Sequence, residues 1–152
     1  MLYFAYGSNM DWERMTHPSR APQAQFLFKA LLPNHTLAFT RRTDAGTGAA
    51  DIVPHEGASV WGIVYHIEPL DRANLDVREG ACVGDYRPEK VVVHPEGDLN
   101  RSLTAFTYVV CRKLPIHQPP TRQYLNYLLN GAKQARLPDD YIQRLQRIET
   151  LG

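Results

Sequence analysis

A chain of 152 residues can bury a hydrophobic core without disulfide or metal staples, so one domain over residues 1–152 is the expectation. Lysine and arginine number 17 against 16 aspartates and glutamates, a formal net charge of +1 that leaves no global field for nucleic acid or a membrane surface. No basic segment leads into an apolar one, no apolar run approaches the roughly eighteen residues of a span, and Cys82 and Cys111 form no CxxC; the chain reads as reduced, cytoplasmic and neither exported nor membrane-spanning.

Leu2-Tyr3-Phe4-Ala5-Tyr6 has the aromatic content of a buried strand, and it breaks abruptly into Gly7-Ser8-Asn9. Gly7 can take a positive φ there, and Ser8, Asn9 and Asp11 are all able to cap a helix over Trp12-Glu13-Arg14-Met15. A strand running into a helix this way leaves several N–H groups converging on one point, which suits a carboxylate or an oxyanion; the plainer alternative is a corner and nothing more. Prolines make 17–22 a loop. Residues 24–32 and 36–40 read as two strands of a hairpin turned at Pro33-Asn34-His35. Arg41 to Gly48 is polar and glycine-bearing, the best candidate for a mobile lid. Strand character returns over 49–53, and His55-Glu56-Gly57 turns the chain into a central strand over 59–67.

Pro69 at N1, helical spacing of Leu70, Ala73 and Val77, and Gly80 beyond them predict a helix that ends at Glu79. Residues 86–94 and 103–110 form a hairpin through Pro95-Glu96-Gly97-Asp98. The prolines of 112–120 make an extended crossing, Thr121 caps a helix running to about Ala135, and a last helix starts near Pro138 with Tyr141, Ile142, Leu145 and Ile148 on one face. Antiparallel strands with few helices between them predict an α+β fold with helices packed outside a sheet.

Glu79 at the helix exit could take and return a proton if it is buried. A carboxylate at the negative end of a helix is disfavoured in its charged form, and burial would raise its pKa further, although an exposed glutamate paired with Arg72 or Arg78 is the commoner arrangement. Arg41 and Arg42 could catch a substrate carboxylate bidentately, against the usual solvated pair. The six histidines show no HxH or HExxH spacing, Ser8 lacks the G-x-S-x-G elbow of a hydrolase, and Cys82 reads as a small buried filler.

Leu2-Tyr3-Phe4-Ala5-Tyr6-Gly7-Ser8-Asn9 resembles the opening of the γ-glutamylcyclotransferase family. Val60-Trp61-Gly62-Ile63-Val64-Tyr65, Leu75-Asp76-Val77-Arg78-Glu79-Gly80 and Gly84-Asp85-Tyr86 follow in the family's order. Gln123-Tyr124, Gly131-Ala132-Lys133 and Leu137-Pro138 with Tyr141 look like the branch acting on γ-glutamyl amino acids. The resemblance implies a small, mostly antiparallel β-barrel and a cofactor-free, metal-free cyclisation of a small γ-glutamyl substrate to 5-oxoproline. Glu79 would be its acid/base, the stretch Tyr3, Phe4, Ala5, Tyr6, Gly7, Ser8 and Asn9 would bind substrate, and Tyr86 and Tyr124 would stand near the cavity. A γ-glutamylamine or glutathione as substrate, a binding module without catalysis, and a homodimer all stay open.

Overall fold

The computed structural model of the chain describes residues 1–42, 48–81 and 84–151. Its strands are β1 (Leu2–Ala5), β2 (Gln25–Arg42), β3 (Gly48–His66), β4 (Tyr86–Pro95) and β5 (Leu103–Val110), closed into a barrel in the order β1-β3-β2-β4-β5. Neighbours run antiparallel except at the closure, where β1 meets β5 in parallel with Tyr3 opposite Phe106. The helices are α1 (Trp12–Met15), α2 (Pro69–Arg78), α3 (Arg122–Gln134) and α4 (Asp139–Gln146). This is the α+β barrel that the resemblance implies. Among the described residues no helix is long and apolar enough to cross a membrane.

The expected hairpin at Pro33-Asn34-His35 does not form. β2 runs straight through it, and β3 runs through His55-Glu56-Gly57 as well. Both turn signals are real, but they belong to one irregularity in one strand pair. Pro33 faces Ser59 and His35 faces Pro54, so Asn34 alone stands opposite His55, Glu56, Gly57 and Ala58. Asn34 and Gly57 both take positive φ, 59° and 83°, and the Gly57 N–H donates to Asn34 Oδ1 at 3.2 Å. Residues that favour left-handed backbone serve a bulge as readily as a turn, and a bulge bends two long strands enough for the sheet to close. The lid expectation over Arg41 to Gly48 rests on 43–47, which lie outside the described residues, as do Cys82 and the Arg42 side chain.

The other elements form where the spacing puts them. Pro69 opens α2, Glu79 occupies its C-cap, and Gly80 leaves it with φ 69°. The Thr121 side chain accepts from the Tyr124 N–H at the head of α3. α3 buries Leu125, Leu128, Leu129 and Ala132, and α4 buries Tyr141 and Leu145. Together with Phe4, Ile63, Val64 and Tyr65 they belong to one core.

Candidate active site

The chain leaves β1 at Ala5 and tightens into a 3-10 turn over Ser8–Met10, closed by the Met10 N–H on the Gly7 carbonyl at 3.0 Å. Asp11 ends that turn and starts α1, its Oδ1 accepting from the Arg14 N–H at 2.9 Å. The first N–H groups of such a turn have no partner within it. Gly7 has φ −112°, so it does not adopt the positive φ anticipated from the sequence. Space is its requirement instead: a Cβ there would sit 3.2 Å from Ala50 Cβ and 3.6 Å from the Tyr124 hydroxyl.

Gly7, Ser8 and Asn9 form one wall of a cavity, and Glu79 lies in the same cavity. Tyr3, Tyr6, Tyr86 and Tyr124 complete it together with Ala50 and Tyr108. Phe4 and Ala5 do not line it. Phe4 faces the opposite way from Tyr3 along the strand, and both it and Ala5 are buried in the core; the Phe4 carbonyl accepts from Thr107 Oγ1 at 2.7 Å.

Asn9 joins the turn to the carboxyl. Its Nδ2 donates to Glu79 Oε1 at 3.1 Å and to the Tyr3 hydroxyl at 3.0 Å, while its Oδ1 accepts from Arg20 Nη1 at 3.2 Å. A guanidinium can only donate, so Arg20 fixes which end of the amide is oxygen and thereby aims the NH2 at Glu79. Burial raises the pKa of Glu79 above the usual carboxyl value. Arg20, the Asn9 bond, and the charges of Arg14 and Arg41 pull it partly back down. Arg72 and Arg78 are not its partners: Arg72 Nε pairs with Asp76 Oδ1 at 3.1 Å, and Arg78 Nε donates to the Ser19 carbonyl.

The tyrosines are held neutral by burial, which pushes the phenols of Tyr3, Tyr6, Tyr86 and Tyr124 upward. They therefore act through shape and hydrogen bonds. Tyr86 donates to the Ala50 carbonyl at 2.7 Å, Tyr124 accepts from the Ala50 N–H at 3.1 Å, and Tyr6 donates to the Tyr108 carbonyl. Two phenols thus clamp the main chain of one residue at the cavity edge. Ala50, Tyr108 and Arg20 escaped the sequence reading. An alanine, one more strand tyrosine and a loop arginine carry no local signal, and their place follows only from how distant strands and loops meet. Burial alone does not mark the site, since Asp51 is fully buried but is satisfied by Thr40 Oγ1, the Val110 N–H and Lys113 Nζ.

Fold and cavity define an α+β barrel protein with a polar, tyrosine-lined site. Residues 59–145 match the AIG2-like family. Over 97% of its length the chain is 34% identical to a γ-glutamylcyclotransferase of Bos taurus and 35% identical to one of Homo sapiens, spanning 78% of each. A solved structure named as a gamma-glutamyl cyclotransferase superposes with a TM-score of 0.89 at 32% identity, over 99% of this chain and 88% of that one. The chain belongs to the γ-glutamylcyclotransferase family, and it is an enzyme.

Proposed function

We propose that the chain converts γ-glutamyl amino acids to 5-oxoproline and the free amino acid, with Glu79 moving the protons. The observation that supports this most is the single cavity shared by the Glu79 carboxyl and the Gly7-Ser8-Asn9 turn, with Asn9 bonded to that carboxyl. In the reaction the substrate's α-amine closes on its own γ-carbonyl carbon, and the bond from that carbon to the leaving nitrogen breaks. Three protons start on the ammonium. The 5-oxoproline nitrogen keeps one, and the leaving nitrogen, which begins as an amide N–H, gains the other two and departs as an ammonium. Glu79 takes the first proton to free the amine and returns it to the leaving nitrogen; the second reaches that nitrogen through solvent. Nucleophile and electrophile share one molecule, so the enzyme's other task is to hold the chain bent, with reacting atoms in contact. Main-chain N–H groups at Gly7, Ser8 and Asn9 stabilise the tetrahedral oxyanion or hold the α-carboxylate. Tyr3, Tyr6, Tyr86 and Tyr124 shape the walls. We place the enzyme in the cytoplasm, where Cys111, a free and exposed thiol, stays reduced.

Glu79→Gln keeps the side chain's volume but cannot take the ammonium proton, so turnover of γ-glutamyl-alanine should fall by about 10²- to 10⁴-fold. Mass spectrometry of the wild-type products should find 5-oxoproline and alanine. Free glutamate in place of 5-oxoproline would mean hydrolysis, and a Gln variant with near-normal turnover would remove Glu79 from the mechanism.

A further inference from the structure

Arg41 is tied to the edge of the cavity by contacts for which the proton transfers have no use. It stands opposite Ala49 in the β2–β3 ladder, one residue before the clamped Ala50. Its guanidinium carbon lies 5.5 Å from the centre of the Tyr86 ring, and its Nη2 donates to Asp85 Oδ2 at 3.1 Å. Asp85 in turn is set against the turn that carries Glu79. Its N–H donates to the Gly80 carbonyl at 3.1 Å, its own carbonyl accepts from the Cys111 N–H at 3.0 Å, and a Cβ on Gly80 would come within 2.5 Å of Oδ2. The Arg41 and Asp85 side chains are 30% and 43% exposed, and ion pairs that wet add little to stability. What the pair accomplishes is position: a guanidinium held over a wall tyrosine by an aspartate that packs on the residue after Glu79.

Substrate chemistry supplies the charge that such a cation would meet. A γ-glutamyl amino acid carries two carboxylates. One stands beside the attacking amine, and the other belongs to the leaving amino acid, on the far side of the bond that breaks. Of the other arginines whose charge reaches Glu79, Arg20 holds the Asn9 amide, and Arg14 lies over the Tyr127 ring in a separate pocket that Asn130 also lines. We propose that Arg41, positioned by Asp85, receives the carboxylate of the leaving amino acid and so selects γ-glutamyl amino acids over γ-glutamylamines. This rests on the cyclisation reading above. A guanidinium has five N–H donors in a planar fork, of which Asp85 takes one, and the fork matches a carboxylate in two-point contact. The leaving group's carboxylate keeps its charge throughout the reaction, so the contact holds ground state and transition state alike and acts on KM more than on kcat.

The test compares kcat/KM for γ-glutamyl-alanine with that for γ-glutamyl-ethylamide, in which a hydrogen replaces the leaving group's carboxylate. The wild-type enzyme should favour the alanine compound. In Arg41→Ala and Arg41→Gln the ratio of the two values should fall by about 10- to 100-fold, as for a lost charge-assisted bond, mainly through a higher KM for the alanine compound. Arg41→Lys, which keeps the charge without the fork, should fall between, and Asp85→Asn should lower the ratio less than Arg41→Ala does. A ratio equal to wild type in both the Ala and Gln variants overturns the inference, even where the two substrates slow together. Wild-type enzyme that cyclises both compounds but prefers the ethylamide overturns it too and leaves the cyclisation reading standing. Release of no 5-oxoproline from either compound overturns both.

Discussion

Asn9 is the residue whose orientation decides how Glu79 behaves. Arg20 pins its carbonyl, the NH2 that remains faces the carboxyl, and both the bond and the Arg20 charge favour the ionised form against burial. Glu79 must be ionised to accept the ammonium proton. Removing either influence raises its pKa, and the acid limb of kcat/KM then moves to higher pH. Asn9→Leu and Arg20→Met should both show that displacement, larger for Arg20, whose charge is the strongest of the influences opposing burial. The apparent pKa belongs jointly to Glu79 and the substrate amine, so the comparison is between enzymes on one substrate. A limb that stays where the wild type has it would mean that Asn9 and Arg20 do not tune the carboxyl. The place of Glu79 at a helix exit was legible because a helix start, a helix stop and a charged residue lie within a dozen positions; its role was read from the family resemblance, since a glutamate so placed is more often solvated. Its bond to Asn9 spans 70 residues and was not legible, since no local pattern reports which loop a helix end will meet.

The 3-10 turn is held from behind by α3. Gly131 lies so close to Met10 that a Cβ there would stand 2.2 Å from the Met10 carbonyl carbon and 2.3 Å from its oxygen. A glycine inside a helix costs about 0.5–1 kcal/mol relative to alanine, so on propensity alone Gly131→Ala would stabilise. Backbone atoms cannot swing aside as a side-chain tip can, and the overlap should outweigh that gain, for a net loss in the range of about 1–3 kcal/mol. Because Met10 closes the turn that carries Asn9, kcat/KM should fall as well. Thermal unfolding and a rate measurement on Gly131→Ala check both, and a variant more stable than wild type with full activity would deny the close contact its role. The same contrast between local chemistry and tertiary use explains the two strands that were misread. Asn34 and Gly57 carry turn chemistry, and residue type reports the backbone angles a position takes without reporting whether the chain reverses there. Thr121 and Pro69 were legible because a helix end is satisfied by its own neighbours.

At the scale of the whole molecule, closing the sheet is what sinks the carboxyl. β1 joins β5 through one paired position, Tyr3 with Phe106, and Gly62 lets the wall close: a Cβ there would stand 2.4 Å from the Ala5 carbonyl oxygen and 2.7 Å from the Phe4 ring. The aromatic run of 2–6 and the apolar run of 59–67 marked strands of the core, but the order β1-β3-β2-β4-β5 joins segments far apart in sequence and no periodicity encodes it. The closed barrel leaves Glu79 in surroundings that oppose its charge, and that opposition is a cost to the fold. In the unfolded chain its carboxyl titrates near the ordinary value of 4.5, and in the folded protein it titrates higher because of burial. Below the unfolded value both states hold the proton, and this group leaves stability unchanged. As pH rises through the interval between the two values the unfolded state releases its proton first, and above the folded value the native protein keeps a charge that its site disfavours. Stability due to Glu79 therefore declines as pH climbs, by about 1.4 kcal/mol for each unit separating the two values. Glu79→Gln has no proton to lose and still offers a carbonyl oxygen to Asn9, so it escapes that decline. The variant that loses activity should thus be the more stable protein at neutral and mildly alkaline pH, the usual opposition between an active carboxyl and a comfortable core. Thermal unfolding of wild type and Glu79→Gln from pH 4 to pH 8 reads this directly. The difference in Tm should widen in favour of the Gln variant as pH rises, and a difference that stays constant or narrows would show that burial does not burden the charged form of Glu79.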